Sequence, residues 1–253
     1  MQFSLEIIKN KKHEQKNHIQ SLIAHYSNRQ RQIYAFNPKG RINVIAEVKK
    51  ASPSHGAINA AADPSTLACT YQQAGASAIS VLTDPYYFGG SFTDLKHVAD
   101  TVALPVLCKE FICYTEQIDA AYLLGADMIL LINAMLNEDE LAYLYHYTLS
   151  KNLIPIIEIH TKSELDRVLP LKPQFIQVNM RNLNSFRIDI QTGIDTLQAL
   201  PKDITAICAS SINNPNDILS IKKQTGAHIF LVGTALMKSH DPKTLLQELI
   251  NVC

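Results

Sequence analysis

Residues 45–56 read IAEVKKASPSHG, a stretch that begins like a buried strand and then sets Glu47, Lys49 and Lys50 where an apolar run would continue. In extended chain, residues i and i+2 share a face. Glu47 and Lys49 therefore act on the same space, whereas Lys50 points the other way and is expected to be solvated or ion-paired. Further along, polar groups again close apolar runs: Lys109 after LPVLC, Glu158 within LIPIIEI, Asn179 and Arg181 at and just after the end of QFIQVN, and Ser210 after ITAICA. Lysines and carboxylates held together away from bulk water have displaced pKa values, which suits proton transfer. Lys109, crowded by Lys49, is expected to have its pKa moved toward neutrality and to act as a general acid. Glu158, facing the lysines, is the candidate base.

These residues converge only if a particular architecture brings them together. Eight β-branched or aliphatic runs recur: INVIAEV (42–48), SAISVLT (77–83), LPVLCK (104–109), DMILLI (127–132), LIPIIEI (153–159), QFIQVN (174–179), ITAICA (204–209) and HIFLVG (228–233). Helix-period segments such as PSTLACTYQQAG, TEQIDAAYLLG and NEDELAYLYHYTLSKN fill the gaps. Gly75-Ala76, Gly125-Ala126 and Gly226-Ala227 each end such a segment, where a left-handed glycine stops a helix. Near-continuous apolar strands imply a parallel sheet covered on its outer face, and eight βα units close a (β/α)8 TIM barrel. A doubly wound open sheet is the structural alternative, but no G-x-G-x-x-G follows the first strand. The expectation is one α/β domain over residues 1–253: a polar, helix-patterned N-terminal extension, 1–40, packed on a barrel, 41–253. In that fold the strand C-termini form the active site, and all the polar groups above lie at that end.

Composition narrows the function classes. Lys plus Arg and Asp plus Glu are both 23, and no basic block or aromatic-interleaved stripe points to nucleic acid. No apolar run approaches the roughly 20 residues that span a bilayer, and the first residues, MQFSLEIIKNKKHEQ, are too charged for a signal peptide. A soluble cytoplasmic protein without a membrane partner is expected. Five cysteines form no C-x-x-C pair, so reduced thiols are expected, and HEQKNH is one residue too long for H-E-x-x-H, so no metal site is expected. The segments after the last two strands, SSINNPND and GTALMK, fall where barrels often hold phosphate on backbone N–H groups. Gly233 alone reads equally well as a turn glycine; with Ser210, Thr234 and Arg181 nearby, it suggests a phosphorylated small molecule.

The blocks IAEVKKASPSHG, GASAISVLTDPYYFGGSFTDL, LPVLCKEFI, GADMILLI, IIEIH, VNMRNL and FLVGTALM occur in this order along nearly the whole chain. In this they resemble the indole-3-glycerol phosphate synthase family of tryptophan biosynthesis. The resemblance implies a cofactor-free lyase that closes the ring of 1-(2-carboxyphenylamino)-1-deoxyribulose 5-phosphate with loss of carbon dioxide and water. Other enzymes of that pathway become potential partners. By position it makes Lys109 the acid that protonates the ketone and Glu158 the base in dehydration, with Glu47, Lys49 and Asn179 supporting them. Arg181 and Leu183 would position substrate; Phe88, Phe111, Leu130 and Leu231 would line the apolar side; Ser52 lies in the loop after the first strand. Ser210, Ser211, Gly233 and Thr234 match the phosphate cradle.

The sequence departs from the family pattern after the seventh strand, where Ala209-Ser210-Ser211 replaces Glu-Ser-Gly. A site carboxylate is lost there. Ser211 must also take the backbone angles of a glycine, and a positive φ costs a non-glycine residue roughly 1 kcal/mol. Smaller departures are Cys108 for Arg, Glu110 for Asp, and Met180 and Asn182 around Arg181. Two alternatives follow: an enzyme acting on a related aminodeoxyketose phosphate, or a non-catalytic paralogue that binds a phosphorylated ligand.

Overall fold

The computed structural model describes residues 4–53, 56–59, 61–182 and 186–252. All eight apolar runs form strands: β1 Asn43–Val48, β2 Ala78–Leu82, β3 Val106–Lys109, β4 Met128–Ile132, β5 Ile154–Ile159, β6 Phe175–Asn179, β7 Thr205–Ala209 and β8 Ile229–Val232. They pair in parallel in chain order, and β1 bonds to both β2 and β8, so the sheet closes into a barrel. Strands β1, β2, β4, β6 and β8 are buried along their whole length. That burial is why their sequences run apolar instead of alternating: side chains of one parity fill the barrel, and those of the other pack under helices. A short antiparallel ribbon, Ala51–Ser52 with Gly56–Ala57, stands above the end of β1.

Eleven helices accompany the described strands: α1 Leu5–Glu14, α2 Lys16–Ile23, α3 Pro64–Ala74, α4 Phe92–Thr101, α5 Thr115–Leu123, α6 Glu138–Ser150, α7 Leu165–Val168, α8 Ile190–Gln198, α9 Pro215–Thr225, α10 Thr234–Lys238 and α11 Pro242–Ile250. Most of the longer ones start on a side-chain cap. Asp63 accepts from the Thr66 N–H with Pro64 in the first turn, and Asn137 and Glu140 form a reciprocal box at α6. Gly75, Gly125 and Gly226 follow three helices with φ of 98, 101 and 74°, so each supplies the left-handed residue that ends its helix.

The extension is helical only to residue 23. The rest of its length, read as helical from pattern, is irregular because side chains rather than backbone hold it. Arg29 donates to the carbonyls of Tyr122, Gly125 and Ala126, and Arg31 to those of Val102, Gly125 and Leu104. Both pair with Asp127, at 2.7 and 2.5 Å, so the segment is strapped across the N-terminal end of the barrel. Ile8, Ile19 and Phe36 fasten it to the core, Phe36 lying 5.5 Å from the Phe175 ring. Among the described residues no helix is long and apolar enough to cross a membrane, and no group of three or more His, Cys, Asp or Glu side chains could hold a metal ion. Cys108, Cys113 and Cys208 are buried free thiols; burial pushes the Cys113 and Cys208 pKa values up to about 12.

Candidate active site

A cavity of about 220 Å³ opens at the C-terminal mouth of the barrel. Glu47 and Lys49 enter it from β1, Lys109 from β3, Leu130 from β4, Glu158 from β5, Asn179 from β6, Ala209 from β7 and Leu231 from β8. The loops above add Ser52, Phe88, Phe111, Arg181, Ser210, Ser211, Gly233 and Thr234. The structure thus gathers the sequence-predicted site residues around one space. Leu183 lies outside the described residues. Lys50 points away and pairs with Asp94 at 2.8 Å, as its parity in the strand requires.

Glu47 sits at the centre of the charged cluster. Its Oε1 is 2.8 Å from Lys49 Nζ and its Oε2 is 3.5 Å from Lys109 Nζ, yet Oε2 has no hydrogen-bond partner among the described residues. Burial alone would raise the Glu47 carboxyl's pKa; Lys49 and Lys109 outweigh it and hold the group below the ordinary carboxylate value. Space for the carboxylate comes from Gly233, where a Cβ would collide with Glu47 Oε1. Gly233 is therefore more than a turn residue, because any side chain there would displace the central carboxylate.

For Lys109 the expected direction is reversed. Burial pushes its ammonium down, but Glu47 and Glu158 together outweigh burial and hold its pKa above the ordinary lysine value. The sequence puts Lys49 beside Lys109 but does not show that Glu47 lies between them, which turns crowding by a cation into stabilisation of one. Lys109 is consequently a protonated donor at neutral pH. Glu158, 1% exposed, accepts a short hydrogen bond from Gln177 Nε2, and His160 Nε2 lies 3.7 Å from its Oε1.

On the opposite side, Asn179 Oδ1 accepts from Ser210 Oγ at 2.7 Å and from the Arg181 N–H at 3.1 Å, tying the ends of β6 and β7 together. Burial lowers the pKa of Arg181 from its ordinary value. Ser210 and Ser211 both have positive φ, 72 and 66°, and Ser211 Oγ is buried without a partner among the described residues. Left-handed backbone at two successive non-glycine residues costs roughly 1 kcal/mol each. The apolar wall is formed by Phe88 and Phe111, whose rings are 6.0 Å apart and tilted by 41°.

Some lining residues escaped the sequence reading. Asp84 and Glu110 reach the cavity and are both bound to Lys12 of α1, at 2.6 and 2.8 Å. Their strand-end positions were visible; the partner from the extension was not, since Lys12 looks like its neighbours in KNKKHEQK. Gln177 was legible as the i−2 neighbour of Asn179, but the register that sets it opposite Glu158 comes from the pairing of β5 with β6.

An eight-stranded parallel barrel with lysines and glutamates gathered at its C-terminal mouth defines a (β/α)8-barrel enzyme. The family model for indole-3-glycerol phosphate synthase matches residues 2–249. Proteins named indole-3-glycerol phosphate synthase are similar over most of the chain. The one from Oceanobacillus iheyensis is 42% identical over 84% of this chain and 81% of its own. The one from Bacillus cereus is 43% identical over 82% of each. The one from Trichodesmium erythraeum is 41% identical over 84% of this chain and 73% of its own. Among solved structures, 3-hexulose-6-phosphate synthase superposes with a TM-score of 0.65 at 13% identity, over 83% of this chain and 99% of that one, which speaks to the fold alone. The chain belongs to the indole-3-glycerol phosphate synthase family.

Proposed function

We propose that the protein closes the indole ring of 1-(2-carboxyphenylamino)-1-deoxyribulose 5-phosphate, releasing carbon dioxide and water to give indole-3-glycerol phosphate. The observation that carries this reading is the placement of Lys109, a protonated amine held by Glu47 in the same cavity as Glu158 and an aromatic wall. The substrate's benzoate ring packs against Phe88 and Phe111. Lys109 donates its proton to the ketone oxygen, making the carbon electrophilic enough for attack by the ring carbon that bears the carboxylate. Carbon dioxide leaves as that carbon's electron pair returns to the ring system. In the dehydration Glu158 takes the carbon-bound proton whose loss forms the indole double bond, while the new hydroxyl takes up one proton and departs as water, so this step neither gains nor loses a proton overall. Lys49 and Arg181 offset the substrate's carboxylate and phosphate charges. Ser210, Ser211, Gly233 and Thr234 receive the phosphate, and Ser211 Oγ offers it a donor.

The decisive experiment is incubation of the purified chain with this substrate, read by the fluorescence of the indole formed. The chain has no Trp, so the protein's own emission does not mask it. Turnover supports the reading, and the absence of turnover at saturating substrate overturns it. Ala209 favours a second reading, a related aminodeoxyketose phosphate as substrate, because the resembling family carries a glutamate there. If Ala209 only weakens the ancestral reaction, Ala209→Glu raises kcat/KM for the anthranilate-derived substrate, since the lysines at the mouth compensate the added charge. A fall in a folded variant favours the related substrate.

A further inference from the structure

The extension places one residue where the barrel alone would not. Lys12 of α1 is 1% exposed, and its ammonium lies 2.6 Å from Asp84 Oδ1 and 2.8 Å from Glu110 Oε1. Asp84 and Glu110 line the cavity, and Lys12 stands behind them. Helix α1 is fixed at this point by Tyr114, whose hydroxyl donates to the Lys12 carbonyl at 2.8 Å.

Each carboxylate organises a loop that bears one ring of the aromatic wall. Asp84 accepts from the Tyr87 N–H at 2.6 Å through Oδ2, and its carbonyl accepts from the Gly90 N–H at 2.9 Å, folding the segment that carries Phe88. Glu110 accepts from the Phe111 N–H at 2.7 Å and from Thr83 Oγ1 at 2.9 Å, which joins the ends of β2 and β3. The ammonium also lies 5.8 Å from the centre of the Phe111 ring. One cation thus bridges the two loops whose rings meet at 6.0 Å. Lys109, by contrast, is the last residue of β3 and is held by the barrel ladder itself.

We infer that Lys12 is a positioning residue, which through Asp84 and Glu110 sets the spacing of Phe88 and Phe111 and so the binding of the substrate's aromatic ring. The inference rests on the ring closure proposed above for its ligand. Because the acid is held by the β3 ladder and the base stands on β5, and Lys12 is paired with neither, losing it weakens binding of the ring and leaves the proton-transfer groups in place.

The test is Lys12→Met in the full chain, with two readouts. The first is the Kd of the borohydride-reduced substrate, whose alcohol in place of the ketone prevents ring closure, followed by the fluorescence of its anthranilate group. The second is the steady-state kcat and KM. Kd and KM are expected to rise about tenfold while kcat changes by less than about threefold, and the pH profile of kcat keeps its wild-type midpoints. A folded variant with wild-type Kd, or one that loses kcat at unchanged Kd, overturns the inference. The unpaired carboxylates could prevent folding of the single variant, so Lys12→Met/Glu110→Gln carries the same expectation with the cluster's net charge restored to its wild-type value. Wild-type turnover judges the proposed function separately. A wild-type chain that binds the reduced substrate without turning over the reactive one fails that reading, while the ratio of Kd values still judges Lys12.

Discussion

Two buried ion clusters stand side by side at the mouth of the barrel, and they are mirror images in charge. In one, the Glu47 carboxylate lies between the ammonium groups of Lys49 and Lys109; in the other, the Lys12 ammonium lies between the carboxylates of Asp84 and Glu110. In the Lys12 cluster each carboxylate also accepts from a backbone N–H, and Glu110 from a hydroxyl as well, whereas Glu47 keeps one oxygen without a hydrogen-bond partner among the described residues. A satisfied network holds one geometry, and an unsatisfied buried group has capacity left for a ligand or a moving proton. By this contrast, similar residue types form a closed fixture in one place and, in the other, the cluster to which the proposed reaction assigns the proton transfer.

The contrast is sharpest for stability. Removing Lys12 leaves two buried carboxylates without their cation, and breaking a buried ion pair typically costs about 3–5 kcal/mol. Lys12→Met is expected to lower the unfolding free energy by that order, whereas Lys109→Met, which leaves Glu47 paired with Lys49, lowers it much less. Equal losses measured by urea unfolding would erase the distinction between the clusters.

Activity reverses the ranking. Lys109→Met and Glu158→Gln each remove a proton-transfer group while roughly keeping shape, so turnover is expected to fall at least about 10²-fold with the fold intact. A variant that retains wild-type kcat would withdraw that residue's assigned role.

A third prediction concerns pH. Glu47 and Glu158 hold Lys109 above its ordinary value of 10.5, so the alkaline limb of kcat/KM lies above that pH, and Glu47→Gln moves the limb down by removing one of the two carboxylates. The stability sign follows from the same shifts. Lys109's raised pKa contributes stability that is present below 10.5 and lost as pH rises through its folded value. Glu47's depressed pKa contributes stability that is present above 4.5 and lost as pH falls through its folded value. Acid unfolding of Glu47→Gln should therefore be less steep below pH 4.5 than that of the wild type. A pH–rate profile and an acid titration followed by circular dichroism check both statements.

The smallest expected effect lies across the cavity. Ser211→Gly relieves the positive φ of 66° and should raise stability by about 1 kcal/mol, offset in part by the greater freedom of glycine in the unfolded chain. Thermal unfolding of wild type and variant measures it, and destabilisation would show that the left-handed turn carries no strain.

The sequence by itself determined the barrel and which polar side chains meet at its mouth. Eight apolar runs of strand length, with capped helices between them, leave little besides a closed parallel sheet. Polar groups at the C-terminal ends of those runs then meet, because barrel closure sends every strand end to one mouth. Tertiary structure decided what those groups do to one another. Glu47 lies between two lysines because barrel closure brings the ends of β1 and β3 to one mouth, so Lys109 is held protonated although burial alone would push its pKa down. Gly233 is required by the side chain of a residue far away in the chain, Glu47, for which a local pattern has no signal. Lys12 could not be told from the other lysines of its helix, because burial of a charge is set by which surface the helix lands on. That landing depends on summed packing over the whole extension, a long-range quantity that no short window of sequence contains.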